Sequence, residues 1–309
     1  MVVALAGGTG GAKLAAGLYD LLDPDELAVI ANTGDDVEIH GVHVSPDPDL
    51  VSYWLAGIID ERGWGIRGDT WNAMERTTPG EEWFRLGDRD LELCALRTRH
   101  MRAGARQTTA HAAVVAELEV RAQVLPMSDS PVRTQVRTPA GWRPFQEFMI
   151  LDRAEAPIEA VDLRGVEAAA PPPEALDAIA RADAILVGHS NPIISIGPIL
   201  AVPGMKEALS AAPAPVVAVS PFVGGRAVKG PTDAFMDHAG LERSANGIAT
   251  AYAGVIDGLV ADEPAEGVPV HVTDTLMEDA AGRRRLAEAT LAHCASLKGT
   301  SPAGTGPKR

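Results

Sequence analysis

VVALAGGTGGAKLAAGLYDLL, residues 2–22, decides the fold class. Residues 2–6 are a short apolar run that reads as a buried strand. GGTGGAK, Gly7 to Lys13, follows without a spacer, and LAAGLYDLL then places apolar residues at helical spacing. A second apolar run, LAVIA at 27–31, leads into NTGDD, Asn32 to Asp36, and HGVHVSPDPD, His40 to Asp49, comes next. Strand, glycine turn, helix, strand and acidic loop is the order in which a doubly wound sheet builds a crevice at its strand ends. Glycines let the backbone approach a phosphate, and a helix N-terminus presents N–H groups to it. Carboxylates beside a phosphate loop call for a divalent cation between them, because bare anions repel.

The glycine turn matches neither common nucleotide motif. A Walker A loop needs Gly before its Lys and Ser or Thr after it, whereas Lys13 stands between Ala12 and Leu14. Counted from Gly8 and Gly10, the third glycine of a dinucleotide fingerprint falls on Lys13. Taken alone, the loop is also compatible with a tight strand-to-helix turn that binds nothing. The acidic loop close behind it favours a ligand.

The chain has 309 residues, 46% of them apolar, enough for one large α/β domain with or without a modest second lobe. A net charge of −15 and the lack of any long Lys/Arg run exclude nucleic-acid binding through a basic face. Lysine occurs only at Lys13, Lys206, Lys229, Lys298 and Lys308, and Lys13 and Lys229 lie in glycine-containing loops as candidate anion contacts. Cys94 and Cys294 offer no metal spacing and read as two reduced thiols of a cytoplasmic protein. No secretory leader is legible, and no apolar run reaches the ~18 residues of a membrane span. GTSPAGTGPKR, 299–309, reads as a disordered tail.

Further along, residues 50–60 and 107–118 read as helices, with RGWGIRGDTW between them. GDRD at 87–90 opens an amphipathic run to about Arg102, and 115–125 is strand-like. VRTQVRT, a turn at Pro139–Gly141 and the strand-like FQEFMILD predict a β-hairpin. It belongs to a smaller lobe, 126–174, inserted into a core formed by 1–125 and 175–298. PPPEALDAIARA starts a helix after a proline run. DAILVGHSNP, APVVAVSPFVGG and VPVHVTDTL each pair a strand with a polar loop, and a helix over 280–297 closes the chain. Polar loops therefore follow residues 6, 31, 187, 219 and 272, and in a parallel sheet they share one rim. The expected fold is α/β: a Rossmann-like, doubly wound, mostly parallel sheet in three αβα layers with the inserted lobe.

GGTGGAK, NTGDD, HGVHVSPDPD, WGIRGDTWN, FRLGDRD, PMSD, SNPIISIGPIL, VSPFVGG, VKGP and TDTLM occur in this order across almost the whole chain. With them the chain resembles the 2-phospho-L-lactate transferases of coenzyme F420 biosynthesis, including their phosphoenolpyruvate-type members. The resemblance implies a diphosphoguanosine donor carrying a phospho-acid (2-phospholactyl, phosphoenolpyruvyl or related) and the deazaflavin Fo as acceptor. The ribityl hydroxyl of Fo attacks the phosphorus that bears the organic acid, GMP leaves, and Mg²⁺ is the metal. It implies donor and phosphate contacts from Gly7, Gly8, Thr9, Gly10, Gly11, Lys13, Asn32, Ser190 and Asn191. It implies Asp35 and Asp49 as metal ligands, and Asp49, Asp69 and Arg85 on the acceptor side. Asp49 would also orient or deprotonate the hydroxyl, with Asp47 as its structural neighbour capping a helix or turn. A homodimer is the implied assembly. The chain departs from the family pattern after GDRD, where Leu91, Glu92, Leu93 and Cys94 replace the usual continuation to Ala-Thr-His, and at His189, where small residues or proline are usual.

Plainer readings stand beside several residues. Asp36 suits a turn or cap as well as a metal. Asp88 and Asp90 suit local salt bridges with Arg89. His40 suits a structural hydrogen bond as well as a phosphate contact, and Trp64 and Trp71 suit core packing as well as stacking on a deazaflavin. Two rival functions share the fold: a regulatory nucleotide-sugar-binding protein of the gluconeogenesis-factor type, and an NAD-dependent dehydrogenase with Asp35 on the ribose.

Overall fold

The computed structural model describes residues 1–228 and 230–298. The readings of Lys229 as an anion contact and of 299–309 as a tail fall outside the described residues. β1 (Val2–Ala6) and β2 (Leu27–Ala31) are buried at every position. Strands with no polar face belong in a parallel sheet covered on both sides. The glycine turn between them runs directly into α1 (Gly8–Tyr19). A hairpin of β3 (Val37–Ile39) and β4 (Val42–Val44) carries the chain to α2 (Pro46–Leu55). Pro46 takes the first helical position of α2, where its missing N–H costs nothing, and Asp47 and Asp49 fill the first turn. Next come α3 (Asp88–Arg102), α4 (Gln107–Glu117) and β5 (Gln123–Pro126).

β6 (Arg133–Thr138), β7 (Gly141–Pro144) and β8 (Ala160–Arg164) form a separate antiparallel sheet in the order β7-β6-β8. The β6–β7 hairpin turns at the predicted Pro139–Gly141. FQEFMI is not its second strand but α5 (Phe145–Ile150). Phe145 and Phe148 share one helical face and both pack on Phe235, with ring centroids 6.4 and 6.0 Å away. A strand would have turned these two rings to opposite sides.

The chain returns through α6 (Pro173–Ala180) to β9 (Ala184–Val187), α7 (Gly197–Ala201), α8 (Met205–Ala211) and β10 (Val216–Val219). A small hairpin, β11 (Phe222–Val223) and β12 (Arg226–Ala227), precedes α9 (Thr232–His238) and α10 (Ala245–Ala251). β13 (Gly258–Ala261), β14 (Val270–Val272) and α11 (Ala280–Lys298) complete the core. β13 has no counterpart in the sequence reading.

The central sheet has seven strands, all parallel, in the order β14-β13-β10-β9-β1-β2-β5. Val3, Leu5, Ile30, Ile185 and Val187 face one apolar layer with α6, α8 and α10. Ala4, Val29, Leu186 and Val219 face the other with α1, α2 and α11. The result is a three-layer, doubly wound α/β fold. Winding reverses between β1 and β9, and the crevice of such a sheet lies outside the carboxyl ends of the strands at that point.

Candidate active site

Close backbone approach shapes the crevice floor. Gly8 takes a left-handed φ of 65°, which favours glycine, and opens α1 without an acidic residue in the first turn. Thr9 and Gly10 complete the turn. A Cβ at Gly10 would collide with the His189 carbonyl oxygen, and one at Gly11 would lie 2.8 Å from Ser190 Oγ. Ser190 Oγ donates to the Gly7 carbonyl at 2.6 Å, fastening the loop after β9 to the glycine turn. Asn191 Oδ1 accepts from the Ile193 and Ile194 N–H groups at 2.8 and 3.2 Å. Its Nδ2 is buried without a hydrogen-bond partner among the described residues.

The opposite wall is acidic. Asp47 Oδ1 accepts the Gly8 N–H at 2.7 Å and Oδ2 accepts Asn32 Nδ2 at 3.0 Å. Asp47 therefore braces the glycine turn rather than capping its own helix. Asn32 also reaches the Ile194 carbonyl at 3.4 Å and accepts the Gly34 N–H at 2.7 Å, joining three loops. Asp35 Oδ1 is buried and has no partner among the described residues. Burial first, then the neighbouring Asp47 and Asp36 carboxylates, push its pKa well above the usual range, against a hydrogen bond from Asn32. Burial likewise pushes Asp47 up to about 6. Beside Asp35 opens a cavity of about 90 Å³, walled in part by Trp83, Arg133, Gln135, Phe145 and Gln146.

Asp49 stands in a buried ion pair. Arg97 Nη1 and Nη2 donate to its two oxygens at 2.6 and 2.9 Å, and Arg97 is fully buried. Arg97 also donates to the His43 carbonyl at 2.8 Å. Asp36 accepts from Ser45 Oγ at 2.7 Å, His43 Nε2 at 2.9 Å and Gln107 Nε2 at 2.6 Å. Burial opposes a charge on His43, but hydrogen bonds to Asp36 and Glu38 outweigh it and push its pKa up to about 9. Burial pushes His111 down to about 4 beside the same pair. Neither Arg97 nor His43 stands out as a site residue in the sequence. The signal for Arg97 is its place on the α3 face that also buries Leu93 and Cys94.

Cys94 Sγ lies 3.8 Å from both Asp49 Oδ2 and Asp90 Oδ1 and accepts from Arg97 Nη2 at 3.4 Å. Asp90 accepts from Tyr53 Oη at 2.7 Å, and burial with the Asp49 charge pushes it up to about 7. Asp49, Asp90 and Cys94 have ligand atoms within 4.8 Å of one another. Arg97 already neutralises that cluster.

Lys13 Nζ donates to the Met277 carbonyl at 2.8 Å and lies 5.9 Å from the Trp54 ring centroid, tying α1 to the loop after β14. Asp69 accepts the Arg89 and Asp90 N–H groups at 3.0 and 3.2 Å, at the start of α3. Arg85 stacks over Trp71 at 5.2 Å, and Arg62 stacks over Trp64 at 4.3 Å. Trp64 is 50% exposed and lies outside the core. His40 Nε2 bonds to the Phe84 carbonyl at 2.5 Å, a structural tie. Asp88 binds Asn72 and Ala73 and is held at about 2, first by its hydrogen bond with Thr70.

Comparison with known proteins accords with this architecture. A family model described as 2-phospho-L-lactate transferase CofD matches residues 2–285. A phosphoenolpyruvate transferase from Kitasatospora aureofaciens is 40% identical, covering 94% of this chain and 97% of the relative. A 2-phospho-L-lactate transferase from Methanosarcina mazei is 39% identical, covering 93% and 98%. A solved UPF0052-family structure from Bacillus halodurans shares the fold with a TM-score of 0.60 at 19% identity, over 94% of this chain and 98% of that one. With its glycine turn, acidic loop and SNPIISIGPIL loop meeting at the strand ends, the chain belongs to the CofD family of 2-phospho-L-lactate transferases.

Proposed function

We propose that the chain transfers a phospho-acid group from a diphosphoguanosine donor to the ribityl hydroxyl of Fo. The hydroxyl oxygen bonds to the phosphorus that carries the organic acid, the bond from that phosphorus to GMP breaks, and GMP leaves. The observation that carries this reading is a buried acid with an open oxygen, Asp35 Oδ1, beside Asp47, which grips the glycine turn that Ser190 fastens to a neutral polar loop. Phosphoryl transfer depends on positioning and charge neutralisation more than on covalent chemistry.

The residues fit the divalent cation that the family implies. Asp35 has an unpartnered oxygen and a carboxylate neighbour in Asp47, a pair whose repulsion a cation relieves. Asp35 would hold Mg²⁺ with Asp47 beside it, and Asp49 is the further candidate ligand. When bound, Mg²⁺ supplies charge neutralisation on the phosphate oxygens. The protein's own groups do the rest. The Gly7–Gly11 backbone and Asn191 Nδ2 bind the diphosphate, and Ser190 fixes Gly7. Asp49, held by Arg97, orients the acceptor hydroxyl. Arg85 and Trp71 offer a cation and a ring face to the deazaflavin, and Asp69 sets the start of α3 beneath them. The same reading makes the chain a cytoplasmic homodimer that engages neither nucleic acid nor membrane; among the described residues no helix is long and apolar enough to cross one.

Incubating purified protein with Fo, Mg²⁺ and each of the lactyl and enolpyruvyl donors, with products followed by mass spectrometry, tests the proposal. The expected result is an Fo adduct of the phospho-acid with equimolar GMP from at least one donor. Absence of both products from every donor, with no binding of Fo, contradicts it.

A further inference from the structure

The loop after β9 and the first turn of α1 meet backbone to backbone. A Cβ at Gly188 would lie 2.7 Å from the Leu5 carbonyl oxygen, and one at Gly10 would lie 2.9 Å from His189 Nδ1. With Ser190 bonded to Gly7, this seam pins the His189 ring beside the glycine turn. His189 is 7% exposed, and its Nε2 is buried with no hydrogen-bond partner among the described residues. Asn191, also 7% exposed, leaves Nδ2 in the same condition. Burial, with a smaller contribution from Lys13, pushes the imidazole down to about 4, so the ring is neutral near pH 7.

Buried polar atoms are nearly always paired, so two open ones on one short loop point to a ligand that pairs them. Their location selects its charge. His189 lies against the start of a helix with no acidic residue in its first turn, where backbone N–H groups and the helix dipole favour an anion. Asp47 occupies Gly8 N–H from the opposite wall, which leaves the β9 side for the anion.

We propose that His189 is a direct ligand of the donor: its Nε2 hydrogen-bonds a phosphate oxygen of the diphosphate lying on the glycine turn, alongside Asn191 Nδ2. The inference rests on the diphosphate-donor reading and adds a contact that reads the phosphates rather than the nucleoside. A neutral ring binds through a directed hydrogen bond, so the contact requires a phosphate oxygen within reach of Nε2 and gives nothing to guanosine alone.

Calorimetric titration of the full chain with GDP, ADP, pyrophosphate and guanosine tests this in the parent, His189→Ala and His189→Gln. His189→Ala is expected to weaken GDP and pyrophosphate by about tenfold or more, the size of a charge-assisted hydrogen bond. Guanosine and Fo binding are expected to stay unchanged, and His189→Gln, which keeps a side-chain donor, to recover most of the loss. Should His189→Ala fail to fold, the imidazole nitrogen resonances of the parent decide: pyrophosphate must shift His189 Nε2. Equal GDP and pyrophosphate affinity in parent and His189→Ala, an equal loss for guanosine, or an unmoved Nε2 resonance each overturns the contact. A parent that binds ADP as tightly as GDP while His189→Ala still weakens pyrophosphate sinks the guanosine donor and upholds the contact. A parent that binds no diphosphate overturns both.

Discussion

The two walls of the crevice are built on opposite principles. The wall after β2 buries four carboxylates, Asp35, Asp36, Asp47 and Asp49, and wires three of them to Arg97, His43, Gln107, Ser45, Asn32 and the Gly8 N–H. The wall after β9 leaves two buried side-chain nitrogens, His189 Nε2 and Asn191 Nδ2, without a partner among the described residues. Buried ions need close partners, so the acidic wall is largely self-satisfied and rigid. Buried neutral groups cost less to leave unpaired than buried charges, so the β9 wall tolerates the open nitrogens that we propose a donor phosphate pairs. Among the described residues, Asp35 Oδ1 is the carboxylate oxygen of the acidic wall left in that open condition, the position we propose for a cation.

The largest expected effect breaks the wiring. Arg97→Ala leaves Asp49 buried and uncompensated, and is expected to cost about 3–5 kcal/mol of folding stability. Denaturant unfolding checks this, and a loss below about 1 kcal/mol would mean that the pair contributes little to the acidic wall. Next comes a contrast within that wall. Asp49→Asn leaves Arg97 buried without its carboxylate and is expected to cost stability on the same scale, yet the folded protein is expected to keep GDP affinity while turnover falls by about 100-fold or more. Asp47→Asn is expected to lower GDP affinity, because it loosens the brace on Gly8. Calorimetry and initial rates on both variants separate the roles, and an identical pattern for the two would erase the distinction.

The smallest effect is a pH dependence with opposite limbs. His43 has its pKa raised to about 9, so its contribution to stability is full below about 6.5, the ordinary histidine value, and is lost as pH rises through 9. His111 has its pKa lowered to about 4, so stability is lost as pH falls from about 6.5 toward 4, where the unfolded chain binds the extra proton. Melting temperatures across pH 4–9 are expected to fall less on the alkaline side in His43→Gln and less on the acid side in His111→Gln. Parallel profiles for both variants and the parent would refute the assignment.

The parts legible in the sequence are those where local chemistry and topology agree. VVALA and LAVIA read as buried strands because no polar residue interrupts them, and GGTGGAK reads as a turn because only glycine allows the approach of the β9 loop. GLVA at β13 was illegible because a four-residue strand that opens on glycine carries almost no period. FQEFMI misled because a short, aromatic-rich apolar segment after a turn resembles a strand, while Phe145 and Phe148, three apart, pack together on Phe235 only as a helix. The site was half legible. SPDPD announced two acids, but which one grips the glycine turn and which one pairs with an arginine depends on α3, far away in sequence. Arg97 itself was hidden because a charged residue in a charged helix reads as solvated until its partner is known.

Asp35 is the residue we propose as cation anchor, facing a neutral wall proposed to bind the anion. The most direct measurement is turnover of Asp35→Asn with Fo and donor across a Mg²⁺ titration, with metal-free GDP calorimetry on the same preparation. The predicted result is a folded protein whose metal-free GDP affinity matches the parent and whose turnover is lost at every Mg²⁺ concentration. Parental turnover at the parent's Mg²⁺ requirement, or a loss of metal-free GDP affinity as large as the loss of turnover, would contradict it.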